Sequence, residues 1–220
     1  MISYDKIKAV LFDMDGVLIE AKDWHYEALN KALALFGMSI SRYDHLNTYD
    51  GLPTRKKLEM LSAERGLPKE LHKFINEMKQ KFTIDIIHSH CKPQFIQEYA
   101  LSSLKAKGYS MAVCSNSVRG SVEAMMNRAG LEPYLDLMIS NEDVIAGKPD
   151  PEMYIKAIKH FGLTPQQCLI VEDNEHGIKA ARASGAHLLV VREVQDTNLE
   201  NILGAINKAE ADNSKVEVAA

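Results

Sequence analysis

The chain has 220 residues, of which 46% are hydrophobic and 25% charged, and its formal net charge at pH 7 is −4. This composition is typical of a globular protein and excludes a disordered or fibrous one. The mildly negative charge gives no general attraction to nucleic acid or to an anionic membrane, so we expect neither as a partner.

The chain ends and the cysteines indicate the compartment. We expect no signal peptide, since the N-terminal residues lack the basic and then apolar pattern of one, and no apolar run is long enough to cross a bilayer. The three cysteines, Cys91, Cys114 and Cys168, form no CxxC pair. This pattern favours reduced thiols and a cytoplasmic protein.

Apolar runs typical of buried strands alternate with helical patterns along most of the chain. The predicted strands are Ile7–Phe12, Tyr109–Cys114, Leu135–Ser140, Leu169–Val171 and His187–Val191. The predicted helices among them are Phe95–Lys107, Ser117–Ala129, Pro151–Phe161 and Gly177–Ser184, each followed by a glycine that suits a left-handed helix end. The alternation predicts an α/β fold with a Rossmann-like three-layer core, in which helices cover both faces of a parallel sheet.

The stretch after the first strand breaks this alternation. Helical patterns occur at Asp23–Phe36, Thr54–Glu64 and Lys69–Ile84, without a convincing strand among them. We therefore expect two domains: an α/β core formed by residues 1–19 and 93–220, and a helical insert formed by residues 20–92. The small and charged residues from Ala209 onward predict a frayed end.

Two aspartates, Asp13 and Asp15, follow the first predicted strand in the segment VLFDMDGVL. Side chains two residues apart on an extended segment point the same way, and Gly16 then allows a sharp turn. Both carboxylates are thus expected at the carboxyl end of a parallel strand, the edge where open α/β sheets bind ligands. The alternative interpretation is an ordinary turn with a helix cap.

A second acidic pair, Glu172 and Asp173, follows another apolar run in the segment LIVEDNEHG. If both strands are central, three or four carboxylates meet and repel one another unless a cation lies between them. Magnesium prefers oxygen ligands and tolerates several waters. The pattern therefore predicts a Mg²⁺ site.

Two further segments supply groups that suit an anion. Ser115, Asn116 and Ser117 follow a predicted strand at the start of a predicted helix, where hydroxyl, amide and backbone N–H groups can bind an anion or cap the helix. Lys148 lies between Gly147 and Pro149, and either neutralises the carboxylates or is solvated surface. A metal, a cation and hydroxyl donors around an aspartate indicate phosphoryl chemistry with a carboxylate nucleophile.

The segments FDMDGVL, VCSNS, GKPDPEMY and VEDNEHG resemble the four ordered motifs of the haloacid dehalogenase-like hydrolase superfamily. The position of the insert is similar to that of the small helical cap of its subfamily I, which includes β-phosphoglucomutase and many sugar-phosphate phosphatases. The resemblance implies that Asp13 is the nucleophile and that Asp15 is the general acid and then the base. It also implies that Ser115, Asn116 and Lys148 bind the phosphate.

The metal ligands implied by the resemblance are the Asp13 carboxylate, the Asp15 backbone carbonyl, Asp173 and, directly or through water, Glu172. The expected activity is that of a Mg²⁺-dependent phosphatase, a phosphoric monoester hydrolase, acting on a small phosphorylated metabolite such as a sugar phosphate. The alternatives are a β-phosphoglucomutase-like phosphomutase and a non-catalytic binding protein that keeps the fold. The mutase has a lysine shortly after its second motif, where this chain has Val118 and Arg119.

Four residues of the insert are candidate substrate contacts. His25 lies where the mutase also has a histidine, although a structural histidine is the alternative. Gly51, Arg55 and Lys56 lie in the segment YDGLPTRKKLEML, which resembles the family's specificity loop. For the basic residues, including the adjacent Lys57, the alternative is a solvated helix face.

Overall fold

The computed structural model describes residues 6–49 and 52–218, with side chains as far as residue 211. The chain divides into two compact units. One contains the residues up to Glu20 and those from Lys92 onward, and the other contains Ala21–Cys91.

The first unit contains a parallel sheet of five strands in the order β3-β2-β1-β4-β5. The strands are β1 (Ala9–Phe12), β2 (Ser110–Cys114), β3 (Leu137–Ile139), β4 (Cys168–Glu172) and β5 (His187–Val190). All four residues of β1 and all five of β4 are buried, which explains why these strands are continuous apolar runs. The predicted α/β class with a parallel sheet is confirmed.

Every regular element among the described residues of the second unit is helical. Its helices are α1 (Lys22–Ala34), α2 (Arg42–Asp44), α3 (Thr54–Arg65) and α4 (His72–His90). A π-helical turn, His45–Tyr49, follows α2, and a 3₁₀ turn, Lys69–Leu71, precedes α4. Apolar side chains of α1, α3 and α4, among them Leu33, Leu61 and Ile75, form a core within this unit.

The helices of the first unit are α5 (Phe95–Ala106), α6 (Arg119–Arg128), α7 (Glu152–His160), α8 (Glu175–Ser184) and α9 (Leu199–Val218). The glycines that follow α5 to α8 (Gly108, Gly130, Gly162 and Gly185) have φ between 66° and 86°, as the helix-end pattern predicts. The predicted frayed end from Ala209 is wrong as far as Val218, where helix α9 ends, and residues 219–220 lie outside the described residues. At the start of this segment, Ala209 is buried and Glu210 accepts a hydrogen bond from the backbone N–H of Ile7.

The register of the sheet brings three strand ends to one level. Phe12 of β1 pairs with Val113 of β2 on one side and with Val171 of β4 on the other. Asp13, the next residue along β1, therefore lies level with Cys114 and Glu172. The chain leaves β1 toward β2 and β3 and returns to the other side as β4, so this edge is the switch point where open α/β sheets bind ligands.

Two further predictions concern the environment of the chain. Among the described helices, none combines the length and the apolar character that a membrane span needs. Cys91, Cys114 and Cys168 are free and buried.

Candidate active site

Three carboxylates meet at the carboxyl end of β1 and β4. Asp13 and Glu172 are 4% and 0% exposed, and Asp173 is half-buried. One carboxylate oxygen from each lies within 4.8 Å of the other two. The main chain holds this arrangement, because the N–H of Asp13 donates to the carbonyl of Val171 (3.0 Å) and that of Val191 donates to the carbonyl of Glu172 (2.8 Å).

Lys148 brings its ammonium group into this cluster. Its Nζ lies 2.5 Å from Asp13 Oδ1 and 2.6 Å from Glu172 Oε1, and its side chain is 2% exposed. The alternative of a solvated surface lysine is therefore wrong. The positive charge of Lys148 offsets the negative charge of the two buried carboxylates, because an unpaired charge in a protein interior is very unfavourable.

One lysine does not neutralise the cluster. Burial raises the pKa of Asp13 well above its usual value, and the lowering effect of Lys148 is opposed by the negative charges of Glu172, Asp173 and Asp15. Although burial acts to lower the pKa of Lys148, the adjacent Asp13 and Glu172 raise it above its usual value. The lysine stays protonated, and the excess negative charge suits an additional cation.

The donor set fits a divalent metal ion. Three carboxylate oxygens so close together are hard ligands of the kind that Mg²⁺ and Ca²⁺ prefer. A bound cation would also favour the ionised form of Asp13, which burial disfavours. The structure supports a divalent cation at this position.

Tyr154, on α7, is a site residue that the sequence analysis missed. Its hydroxyl donates to Glu172 Oε1 at 2.5 Å, and Lys148 Nζ lies 4.9 Å from the centre of its ring. The tyrosine is fully buried. Its place six residues after Lys148, in an otherwise apolar helix face, was the only signal in the sequence.

Gly177, in the first turn of α8, leaves room for the Glu172 carboxylate. A Cβ at this position would lie 1.9 Å from Glu172 Oε1 and 2.0 Å from its carboxyl carbon. Asn174 caps the same helix, since its side chain accepts from the N–H of Gly177 at 3.0 Å. The last glycine of VEDNEHG is therefore explained by close packing against a site carboxylate.

Gly177→Ala is expected to displace Glu172 and, with it, Lys148. We expect hydrolytic activity to fall about 10²-fold, the effect of misplacing a catalytic group by about 1 Å. The free energy of unfolding should fall by about 1–3 kcal/mol, as is typical of overpacking. Steady-state kinetics and urea unfolding measure the two effects.

Gly204→Ala in α9 is the matched control for this substitution. A Cβ there has no neighbour within 4 Å, so this variant should keep full activity. It should be more stable than the wild type by about 0.5–1 kcal/mol, because alanine favours a helix over glycine. A Gly177→Ala protein with normal activity and stability would show that Glu172 does not need its observed position.

Asp15 and the serines of the second motif lie at the same sheet edge. Asp15 is half-buried, and its Oδ2 accepts from Ser117 Oγ at 3.3 Å. Ser115 is 1% exposed, and its Oγ accepts from the N–H of Ser117 at 3.0 Å. Helix α6 begins at Arg119 with Val118 at its cap position, so the alternative in which Ser115 or Ser117 caps this helix is wrong.

Asn116 contacts the loop that carries Lys148. Its Oδ1 accepts from the N–H of Lys148 at 2.9 Å, and its Nδ2 donates to the carbonyl of Lys148 at 3.1 Å. The Lys148–Pro149 peptide bond of this loop is cis. These contacts place the amide of Asn116 against a second site residue.

The four predicted insert residues differ in their surroundings. His25, on α1, is half-buried, and its Nδ1 lies 3.3 Å from Nζ of Lys79, a buried lysine of α4 that the sequence analysis did not single out. Arg55 and Lys56 are exposed, and Arg55 forms an ion pair with Glu59 at 3.1 Å. Gly51 lies outside the described residues.

The comparison with known proteins identifies the family. A protein-family model, described as haloacid dehalogenase-like hydrolase, matches residues 10–191 of the sequence. The chain belongs to the haloacid dehalogenase-like hydrolase family. The family predicted from the four motifs is confirmed, and the matched range begins at β1 and ends just after β5.

Several relatives of this hydrolase are named as phosphatases. A phosphorylated carbohydrates phosphatase of Thermotoga maritima is 27% identical over 86% of this chain and 88% of its own length. A phosphoglycolate phosphatase of Aquifex aeolicus is 28% identical over 81% and 82%, respectively. Fructose-1-phosphate phosphatase of Escherichia coli is 25% identical over 86% and 98%. The predicted enzyme class, phosphoric monoester hydrolase, is confirmed.

Solved structures show the same fold. β-Phosphoglucomutase from Clostridium difficile superimposes on this hydrolase with a TM-score of 0.78 at 22% identity, covering 92% of this chain and 98% of that one. CbbY from Rhodobacter sphaeroides, in complex with phosphate, gives a TM-score of 0.76 at 21% identity, covering 84% and 85%. Because a mutase shares the fold with phosphatases, the fold does not separate the two activities.

Proposed function

We propose that this hydrolase is a Mg²⁺-dependent phosphatase that hydrolyses a small phosphorylated metabolite, a sugar phosphate, through a phosphorylated Asp13. The observation that carries the proposal is the buried Asp13–Lys148 pair beside Glu172 and Asp173, at the carboxyl end of the central strand. A nucleophilic carboxylate, a fixed cation and a divalent metal site are the groups that phosphoryl transfer requires.

In the first half of the reaction, Asp13 attacks phosphorus. Lys148 holds Asp13 Oδ1, which leaves the other carboxylate oxygen to form the new P–O bond. The P–O bond to the sugar oxygen breaks, and Asp15 donates a proton to that oxygen as it leaves. Lys148 also neutralises charge on the phosphoryl oxygens, and Ser115 donates a hydrogen bond to one of them.

In the second half, water attacks the same phosphorus. Asp15, now ionised, takes a proton from the water, and the bond between phosphorus and Asp13 breaks. Inorganic phosphate and the free Asp13 carboxylate result. One residue can act first as acid and then as base, because the first half leaves it deprotonated.

The proposed metal ligands are the carboxylates of Asp13 and Asp173, the backbone carbonyl of Asp15 and, directly or through water, Glu172. When bound, Mg²⁺ supplies positive charge that offsets the repulsion between the carboxylates and the incoming phosphate. This set of oxygen donors, which contains no nitrogen or sulfur, supports Mg²⁺ over a softer metal.

The names of the relatives support the substrate class. They include phosphatases of phosphorylated carbohydrates and of fructose 1-phosphate. We assign substrate selection to the helical insert, residues 20–92, with His25, Arg55 and Lys56 as candidate contacts. Gly51 keeps the same predicted role. The cytoplasmic location indicated by the cysteines stays a prediction.

The test is a panel of phosphorylated sugars and small phosphorylated acids, assayed for inorganic phosphate with Mg²⁺ and with excess chelator. We expect phosphate release from one or more sugar phosphates, loss of at least about 10²-fold with chelator, and recovery when Mg²⁺ is added. Rapid acid quenching with a ³²P-labelled substrate should trap label on the wild-type protein.

The same panel separates the alternatives. Interconversion of sugar phosphates without phosphate release would support a mutase and reject the phosphatase. Arg119, near the position of the mutase lysine, forms ion pairs with Asp143 and Glu123, which supports a structural role for it. Absence of turnover on every substrate, with phosphate still binding, would support a non-catalytic protein.

A further inference from the structure

Asn116 and Lys148 form a closed pair of hydrogen bonds between one side chain and one backbone. The side-chain oxygen of Asn116 accepts from the N–H of Lys148 at 2.9 Å, and its side-chain nitrogen donates to the carbonyl of Lys148 at 3.1 Å. Among the twenty residue types, asparagine and glutamine offer an acceptor and a donor side by side in this way. We refer to this pair of bonds as the Asn116 clasp.

The clasp holds the backbone end of a residue whose other end lies in the carboxylate cluster. Lys148 Nζ contacts Asp13 Oδ1 and Glu172 Oε1, at 2.5 and 2.6 Å. Lysine has a flexible stem, so its ammonium group stays in place only if the surrounding structure fixes its backbone as well. The two sets of contacts together leave the side chain little freedom.

The residue before Lys148 makes the close approach possible. A Cβ at Gly147 would lie 2.5 Å from Asn116 Oδ1, which is closer than real Cβ contacts occur. Gly147 has no positive φ, so the glycine is explained by this contact and not by a left-handed turn. The absence of a side chain at Gly147, in the GKP segment, thus makes room for the side chain of Asn116, in the SNS segment.

Asn116 is itself held by the loop after β3. The side chain of Asn141 donates to the carbonyl of Asn116 at 2.9 Å, and the N–H of Asn141 donates to the carbonyl of Ser117 at 3.1 Å. Asn141 and Lys148 both lie between β3 and α7, so the segment after β3 contacts Asn116 at two places. The clasp is therefore anchored at both ends.

We propose that Asn116 is a positioning residue for Lys148, acting through the clasp, and not a ligand of the phosphate through its side chain. The proposal rests on the proposed function, in which Lys148 neutralises Asp13 and the phosphoryl group. The side-chain amide of Asn116, in the segment VCSNS, thus serves to hold Lys148, in the segment GKPDPEMY, in position. Gly147 is required because it lets the two segments approach.

A double-mutant cycle of Asn116→Ala and Lys148→Ala tests this assignment. Asn116→Ala should lower kcat/KM about 10–100-fold in the wild type, the effect of a slightly misplaced catalytic group. In the Lys148→Ala protein the same change should cost less than about 3-fold, because the group that Asn116 positions is already gone. The dissociation constant of inorganic phosphate, measured in the same four proteins, should show the same pattern.

If the two effects multiply in both measurements, Asn116 acts on the phosphate independently and the proposal is wrong. An Asn116→Ala protein with wild-type kinetics would overturn it as well. Asn127→Ala is the matched control, since this amide on α6 donates to the exposed Glu132 and should leave activity unchanged. If Asn116→Ala fails to fold, Asn116→Asp keeps the size and the acceptor but sets an oxygen against the carbonyl of Lys148, and it takes the place of alanine in the cycle.

Amide hydrogen exchange gives a readout that does not depend on activity. The N–H of Lys148 should exchange at least about 10-fold faster in Asn116→Ala than in the wild type, because its acceptor is lost. Equal exchange rates would show that the clasp does not form in solution. If the proposed function fails instead, Lys148→Ala and Asp13→Asn leave turnover unchanged while the exchange result still holds, so the two failures are distinguishable.

Discussion

Asp13→Asn should lower the rate of phosphate release by a factor on the order of 10⁴ or more, the range for loss of a catalytic nucleophile. Asparagine has the shape of aspartate but is a poor nucleophile toward phosphorus. Quenching with ³²P-labelled substrate should leave no label on the variant, whereas the wild type retains it. A spectrophotometric assay of inorganic phosphate measures the rate.

The variant should fold at least as well as the wild type. Burial raises the pKa of Asp13, so the ionised carboxylate is disfavoured in the folded state at neutral pH. A neutral amide of equal size removes that penalty, and Lys148 keeps its bond to Glu172. The melting temperature should be unchanged or higher, which separates loss of chemistry from loss of structure.

Asp136→Asn is the matched control, at the opposite edge of the same sheet. Asp136 precedes β3, accepts from the N–H of Met111 at 2.9 Å and forms an ion pair with Lys105. Its replacement should lower stability somewhat and leave turnover within about 2-fold of the wild type, as expected away from the active site. Unchanged turnover in Asp13→Asn would remove Asp13 as the nucleophile and, with it, the proposed mechanism.

Lys148→Met should affect stability and activity together. It leaves the carboxylates of Asp13 and Glu172 buried without their cation, which costs about 3–5 kcal/mol when one partner of a buried ion pair is removed. Phosphate release should fall about 10²–10³-fold, the usual effect of losing one charge-stabilising group. Methionine fills a similar volume, so packing changes little.

The loss of stability should depend on pH in a defined direction. A carboxyl group whose pKa is raised on folding binds more protons in the native state, so its contribution to stability falls as the pH rises above the unfolded-state value. Without Lys148 to oppose the rise, the pKa of Asp13 should increase further. Urea unfolding should therefore find the variant closer to the wild type at pH 5 than at pH 8.

Lys105→Met provides the comparison. Its ion pair with Asp136 is exposed on both sides, with side-chain exposures of 41% and 34%, so its loss should cost less than about 1 kcal/mol and no activity. If Lys148→Met lowered stability and activity no more than this control does, the buried charge cluster would not depend on Lys148. A loss of stability that grew as the pH fell would contradict the assigned pKa direction.

The positions of the strands along the chain were predictable, because a strand that is buried on both faces is a continuous apolar run. All five predicted strands are present, and the boundaries shift where local hydrogen bonds intervene. Strand β3 begins at Leu137, two residues later than predicted, after the side chain of Asp136 has bonded to Met111. Helix α8 begins two residues earlier than predicted, because Asn174 caps it.

The family, the parallel α/β architecture and the carboxylates that end β1 and β4 could all be predicted from the amino-acid sequence. These follow from local features: apolar runs, glycines at helix ends and short motifs in a fixed order. Their meeting at one edge could be inferred from parallel strands alone, because all parallel strands end on the same side.

The partner of each site residue, in contrast, depends on how the chain folds. The hydroxyl of Tyr154 on Glu172, the space beside Gly177 and the Asn116 clasp join residues that lie 5 to 32 positions apart. No periodicity records such pairs, because each depends on side-chain directions that are set by packing between separate elements. Local chemistry thus indicated which groups the site contains, whereas their pairing depended on the folded chain.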